Sequence, residues 1–186
     1  MARTESAMLP LGTVAPSFAL IDTRTNQLCA LDKAQGRVAT IIAFICNHCP
    51  YVKHINPELP RLAQDYAAHG VALIAISAND VEQYPDDAPE QMQKIAQEMN
   101  YCFPYLYDET QEVALAYQAR CTPDFFVFDH DLKLVYRGQL DDSRPGNEIP
   151  VTGQSIRNAL QALIQKEPIP APQKASVGCN IKWKPA

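Results

Sequence analysis

The sequence predicts an α/β fold, a central mixed sheet flanked by helices on both faces, and three observations predict it. Residues 38–45 and 71–76 are continuous apolar runs rich in β-branched side chains, the pattern of strands buried on both faces. Between them Ile55, Leu59, Leu62, Tyr66 and Ala67 recur at helical spacing, so the first run hands over to a helix and the helix to a second strand. Farther along, residues 125–128 and 132–136 are two short apolar runs joined by the polar turn Asp129-His130-Asp131, which reads as an antiparallel hairpin.

The elements follow in order. Residues 1–8 read as a loose lead-in, and residues 14–21 as a short strand that turns through 22–27 into a second near 28–31. After the strand at 38–45, Pro50 suits the first turn of a helix, where no amide partner is needed, and Gly70 stops that helix. Pro57 and Pro60 lie within the span and predict a kink or a division. Beyond the strand at 71–76 come a helix over 89–100, an extended piece at 103–106 and a helix over 110–117. The hairpin precedes a last helix capped by Thr152 and running to about Gln165. The organisation is therefore one domain, residues 9–166, with residues 167–186 as a Pro-rich tail packed on it.

Charge and composition remove several function classes. A net charge of −5, with Lys174, Lys182 and Lys184 as the main basic cluster, gives no footprint for nucleic acid. No stretch approaches the ~18 apolar residues of a membrane span. The opening residues lack the apolar run of a secretory signal, so the expected location is the cytoplasm. Six cysteines in 186 residues are too sparse for a disulfide scaffold, and in a reducing compartment most are expected as thiols.

One pair stands apart. Cys46 and Cys49 enclose Asn47 and His48 where a buried strand meets a helix, a spacing that closes a small disulfide ring. A helix N-terminus offers partial positive charge and free amides, which favour a thiolate, expected at Cys46, with Cys49 as the buried resolving thiol. His48 between them is expected to add positive charge or a hydrogen bond. A structural zinc site would need a second close pair of ligands, and no second CxxC or HxxxH exists. No metal and no cofactor beyond the redox-active disulfide is expected.

With this dithiol and the later segment Arg120-Cys121-Thr122-Pro123-Asp124, the chain resembles the thioredoxin superfamily, which implies a thioredoxin-like fold over most of residues 9–166. The resemblance implies that Thr122 and Pro123 form a cis bond facing the dithiol and leave backbone beside it for an extended substrate. Residues 11–20 are similar to the start of the redoxin branch, which includes the peroxiredoxins. Closer still are bacterial redoxin-domain proteins that share the segments at 46–52, 136–142 and 178–184. Two departures matter. Where peroxiredoxins carry Pro and Thr or Ser ahead of a peroxidatic cysteine aligned with Cys49, this chain has Ile42 and Cys46, which argues against a dedicated peroxidase. Where thioredoxins carry Trp and a buried Asp, it has Ile45 and Thr40.

The expected function is thiol–disulfide exchange by Cys46 and Cys49 on a disulfide-bearing protein or a small thiol substrate, with an unidentified electron donor and no nucleic-acid or membrane partner. The alternatives are a peroxiredoxin-like peroxidase with antioxidant activity and a non-catalytic metal-binding module. Cys121, beside the Thr-Pro dipeptide, and Cys179, in the tail, are accessory thiols in a functional reading and packed small residues otherwise. Cys29 and Cys102 read as structural.

Overall fold

A computed structural model describes residues 3–185; Met1 and Ala2 of the expected lead-in and Ala186 of the expected tail lie outside the described residues. The chain runs β1 (Arg3–Glu5), β2 (Ala19–Asp22), β3 (Gln27–Ala30), α1 (Leu31–Ala34), β4 (Ala39–Phe44), α2 (Pro50–Ile55), α3 (Glu58–Ala67) and β5 (Val71–Ser77). It continues through a 3-10 turn (Pro85–Asp87), α4 (Pro89–Glu98), β6 (Tyr105–Tyr107), α5 (Glu112–Ala116), β7 (Cys121–Thr122), β8 (Asp124–Asp129), β9 (Leu134–Gly138), α6 (Gln154–Gln165) and β10 (Val177–Asn180).

The apolar runs sit in the middle of a seven-stranded sheet of order β3-β2-β6-β5-β4-β8-β9. β4, buried at every position, pairs in parallel with β5 from Ala39↔Val71 to Phe44↔Ile76. On its other side it pairs antiparallel with β8 from Ala39↔Asp129 to Phe44↔Asp124, so the sheet is mixed. Alternation then sorts the side chains. Ile41, Ala43 and Ile45 pack with α2, α3, α4 and α6, while Ile42 and Phe44 face the side covered by α1 and α5. The fold is an α/β sheet with helices on both faces.

Backbone chemistry explains where elements stop. The helix expected over 50–70 divides at Pro57: α2 ends at Ile55 and α3 begins at Glu58, with Pro60 in the first turn of α3, where its missing amide breaks no bond. Of the strand expected over 14–21 only Ala19–Asp22 forms, and Val14 makes a single bridge to Lys133. Pro16 has no amide to donate there. Thr152 does not cap α6; Gly153 does, at φ +67°, and the Asp141 carboxylate accepts from the Thr152 and Gly153 amides at 2.7 Å each.

The two ends of the chain meet. Parts of the segments expected as lead-in and tail pair in a second sheet of order β1-β10-β7, with Thr4 opposite Gly178 and Cys179 opposite Thr122. Residues 177–179 and 181–182 are buried there, so the end of the chain is a strap across the domain and not a surface wrapping. Among the described residues no helix is long and apolar enough to cross a membrane.

Candidate active site

β4 delivers the Cys46–Cys49 loop to the start of α2, where Cys49 is the N-cap and Pro50 the first helical residue. The loop is gripped from outside by Asp87, fully buried in the 3-10 turn. Its Oδ1 accepts from the amides of Asn47 at 2.7 Å and His48 at 3.2 Å. Its Oδ2 takes His48 Nδ1 at 2.6 Å and Asn79 Nδ2 at 2.8 Å. Asn47 extends the grip, donating to the Asp86 carbonyl at 2.8 Å and accepting from the Tyr105 hydroxyl at 3.0 Å. Thus Asn47 and His48 fasten the loop that carries the two cysteines. The His48 ring, stacked 5.3 Å from Tyr84, is turned to the carboxylate, and the charge it was expected to offer the dithiol has Asp87 as its nearer partner.

Three sulfurs meet beside Thr122. Cys46 Sγ lies 3.3 Å from the Thr122 hydroxyl, Cys49 Sγ 3.2 Å from the Thr122 carbonyl oxygen, and Cys179 Sγ 2.7 Å from Cys49 Sγ. The Thr122–Pro123 peptide bond is cis. The anion sits on Cys49: hydrogen bonding from Cys46 first, then from Cys179 and from the Val52 and Cys179 backbone, outweighs burial and brings its thiol down to about 5. The Thr122 carbonyl favours the protonated thiol and opposes this, but the donors outnumber it. Cys46 is pushed well up, first because its hydrogen bond to Cys49 holds its proton, then by burial and the Asp87 charge. Both shifts run against the expected Cys46 thiolate and toward one on Cys49. Only Cys49 sits at the mouth of α2, where a lone helix-end amide such as that of Val52 points at the sulfur.

Cys179 is pushed up to about 12, first by burial and then by its hydrogen bond with Cys49. Cys121, the other accessory thiol, donates to the Pro123 carbonyl at 3.7 Å, and burial pushes it up as well. Asp124, next to Pro123 and completely buried, is pushed well up from the usual carboxylate value by that burial. Cys46 is 1% exposed and Cys49 0%. In this conformation the dithiol is sealed.

The parts played by Asp87, Asn79 and Tyr84 are not legible in the sequence. Pro85 and Pro89 bracket a constrained loop, but nothing local tells that its carboxylate turns back 40 residues to the Asn47 amide. A cation is the other occupant to test. One atom each of Cys46, His48 and Asp87 lie within 4.8 Å of one another, the one such group among the described residues. The fit is poor: both Asp87 oxygens and His48 Nδ1 are engaged in holding the loop, and Cys46 Sγ with the buried, unpartnered His48 Nε2 makes two donors where a zinc site takes three or four.

Comparison with known proteins agrees with this architecture. The model of the AhpC/TSA family matches residues 11–137. No curated protein matches the chain. Among solved structures, an uncharacterized conserved protein from Geobacillus kaustophilus is 60% identical, with a TM-score of 0.98 over 100% of this chain and 98% of that one. A hypothetical protein from Sinorhizobium meliloti 1021 is 42% identical, with a TM-score of 0.96 over 98% of this chain and 100% of that one. A putative thiol:disulfide interchange protein DsbE from Chlorobium tepidum shares the fold at 18% identity, with a TM-score of 0.65 over 84% of this chain and 99% of that one.

Proposed function

The chain belongs to the AhpC/TSA family, and from that premise we propose that it is a thiol–disulfide oxidoreductase whose Cys46–Cys49 couple exchanges with protein or small-molecule disulfides. The observation that carries the reading is the placement of Cys49 at the N-cap of α2 with Cys46 in the same loop and Thr122 beside both sulfurs, where hydrogen bonding from Cys46 lowers the Cys49 thiol. A thiolate attacks a disulfide sulfur, and a neighbouring thiol that gives up its proton to the leaving group then closes the intramolecular disulfide. Cys49 is thus the attacking residue and Cys46 the resolving one. Asn47, His48 and Pro50 set the loop, and Thr122 and the cis Pro123 form the wall against which the sulfurs lie.

No cofactor beyond the thiols enters this mechanism; a disulfide-bearing protein or small thiol is the partner and a thiol donor returns the couple to the reduced state. The same reading places the protein in the cytoplasm, a reducing compartment where exposed Cys102 and half-buried Cys29 remain thiols. Cys49→Ser abolishes turnover in an insulin-disulfide reduction assay; turnover equal to wild type overturns the assignment. Zinc found in stoichiometric amount in the reduced protein favours the metal-binding alternative.

One observation favours a second reading. Cys49, which carries the anion, stands where the resemblance puts the peroxidatic cysteine of peroxiredoxins. Peroxide consumption that disappears in Cys49→Ser and survives in Cys46→Ser supports that activity, and none in the wild type removes it.

A further inference from the structure

The three sulfurs meet because of a strand the exchange chemistry does not require. Residues 176–181 run antiparallel along residues 120–123: the Ser176 hydroxyl donates to the Pro123 carbonyl at 2.6 Å, Cys179 lies opposite Thr122, and the Ile181 amide donates to the Arg120 carbonyl at 3.1 Å. An extended polypeptide therefore lies on the strand that ends in the cis proline, with its cysteine sulfur 2.7 Å from Cys49 Sγ. A disulfide-bearing polypeptide attacked by Cys49 has to present its backbone and its sulfur in the same way.

Two further features show that the placement is built. Gly178, immediately before the cysteine, passes so close that a methyl group there would overlap the Thr122 carbonyl oxygen; only glycine lets the strand approach. Beyond the cysteine, the Lys182 amide donates to Asn79 Oδ1 at 2.9 Å and its carbonyl accepts from the Asp80 amide at 2.8 Å. Asn79 in turn donates to Asp87, which holds the Cys46–Cys49 loop, so strap and dithiol share one hydrogen-bonded chain.

We propose that β10 is a built-in substrate mimic: its Cys179 forms a disulfide with Cys49, and the strand yields the β7 edge to an extended, cysteine-bearing polypeptide substrate. The proposal rests on the thiol–disulfide reading above. The Cys49 thiolate attacks a substrate disulfide; one substrate sulfur leaves as thiolate and the other is bonded to Cys49. When β10 returns, the Cys179 sulfur attacks Cys49 Sγ, the bond from Cys49 to substrate breaks, and the proton from Cys179 goes to the departing thiolate. Two electrons have passed to the substrate, and the Cys49–Cys179 pair is oxidised by two. Attack of Cys46 on Cys49 Sγ then moves the disulfide to Cys46–Cys49 with no net electron transfer, and frees the strand.

The test oxidises wild type and Cys46→Ser with dithionitrobenzoate, blocks remaining thiols with N-ethylmaleimide, and maps tryptic peptides without reduction. In Cys46→Ser the peptide of residues 38–53 is found joined to that of residues 175–182, and in wild type part of Cys179 is protected while Cys46 is blocked. Cys179 fully blocked in both proteins, with wild type holding only Cys46–Cys49, overturns the proposal and leaves the dithiol reading standing. Cys49 fully blocked in both overturns the two together. Independently, Gly178→Ala loosens the strand without touching a sulfur, and Ile181→Ala does so by removing a buried side chain. Each raises the iodoacetamide reaction of Cys49 by roughly tenfold or more, with Cys102 as internal control. An unchanged Cys49 rate in both variants overturns the covering role of the strand.

Discussion

A thiolate in a site with 0% exposure needs donors in place of water, and Cys49 has them in Cys46, Cys179 and the amide of Val52. With its thiol lowered to about 5, the anion persists through neutral pH and is lost as pH falls through that value. The ultraviolet absorbance of the thiolate therefore shows a step near pH 5 in the wild type, absent in Cys49→Ser. Cys46→Ala removes the largest lowering influence, so the step moves to higher pH. A step that stays in place would show that the helix end alone sets the pKa. The dithiol was legible in the sequence because two cysteines at fixed spacing between a strand and a helix are a local pattern. Which sulfur ionises was not legible, because beyond the local Cys46 it depends on Cys179 and Thr122, brought in by pairing distant in sequence. Asp87 was hidden for the same reason. Asp87→Asn leaves donors of Asn47, His48 and Asn79 facing an amide in a buried site and costs about 3 kcal/mol, in the range for breaking a buried charged network. For a chain of this length that lowers Tm by roughly 6–12 °C, read by calorimetry.

At the scale of elements, α3 and α6 are joined across the sheet face by Arg157. Its Nη2 reaches Glu58 Oε1 at 2.6 Å and its Nη1 reaches Asp65 Oδ2 at 2.7 Å. The Glu58 side chain is 7% exposed, so truncating the arginine leaves a nearly buried carboxylate at the first turn of α3 with only the exposed Arg61, 3.9 Å away, as a cationic partner. Arg157→Ala is expected to cost about 2–3 kcal/mol in denaturant unfolding, and Arg157→Lys part of that, since an ammonium cannot bridge both carboxylates with a planar fork. A loss below ~0.5 kcal/mol would show the pair to be an ordinary surface contact. The central elements were readable beforehand: β4 and β5 are apolar at nearly every position, and Pro57 announces the break between α2 and α3. The Thr152 cap was misread because the first amides of α6, those of Ser155 and Ile156, are taken by the Leu140 carbonyl and the turn before them is held by Asp141, both in another loop and shown by no local motif.

For the whole molecule, burial of the thiols and exchange with a substrate are compatible only if the strap opens while the sheet stays folded. The architecture allows this. β10 pairs with β1 and β7 in its own small sheet, whereas β4, β5 and β8 are locked in the seven-stranded one. None of this could be read from residues 167–186, whose prolines suggest a tail and whose short apolar stretch around Val177 reveals no partner strand. Native-state hydrogen exchange separates the two kinds of opening. The amides of Ile181 and Lys182, bonded to the Arg120 carbonyl and to Asn79 Oδ1, exchange through a local opening whose free energy lies below that of the β4 and β5 amides. Ile181 is 1% exposed in the core beneath α1 and α5, so Ile181→Ala lowers the opening free energy of the strap by about 2–3 kcal/mol. Part of that loss also appears in global stability, because the closed strap is native structure. Oxidation to a Cys49–Cys179 disulfide acts in the opposite sense and slows exchange at Ile181 and Lys182 toward the rate of global unfolding. Strap and sheet amides exchanging at one common free energy in the reduced wild type would mean that the dithiol is reached only by unfolding the domain, and a sealed pair of that kind could not turn over.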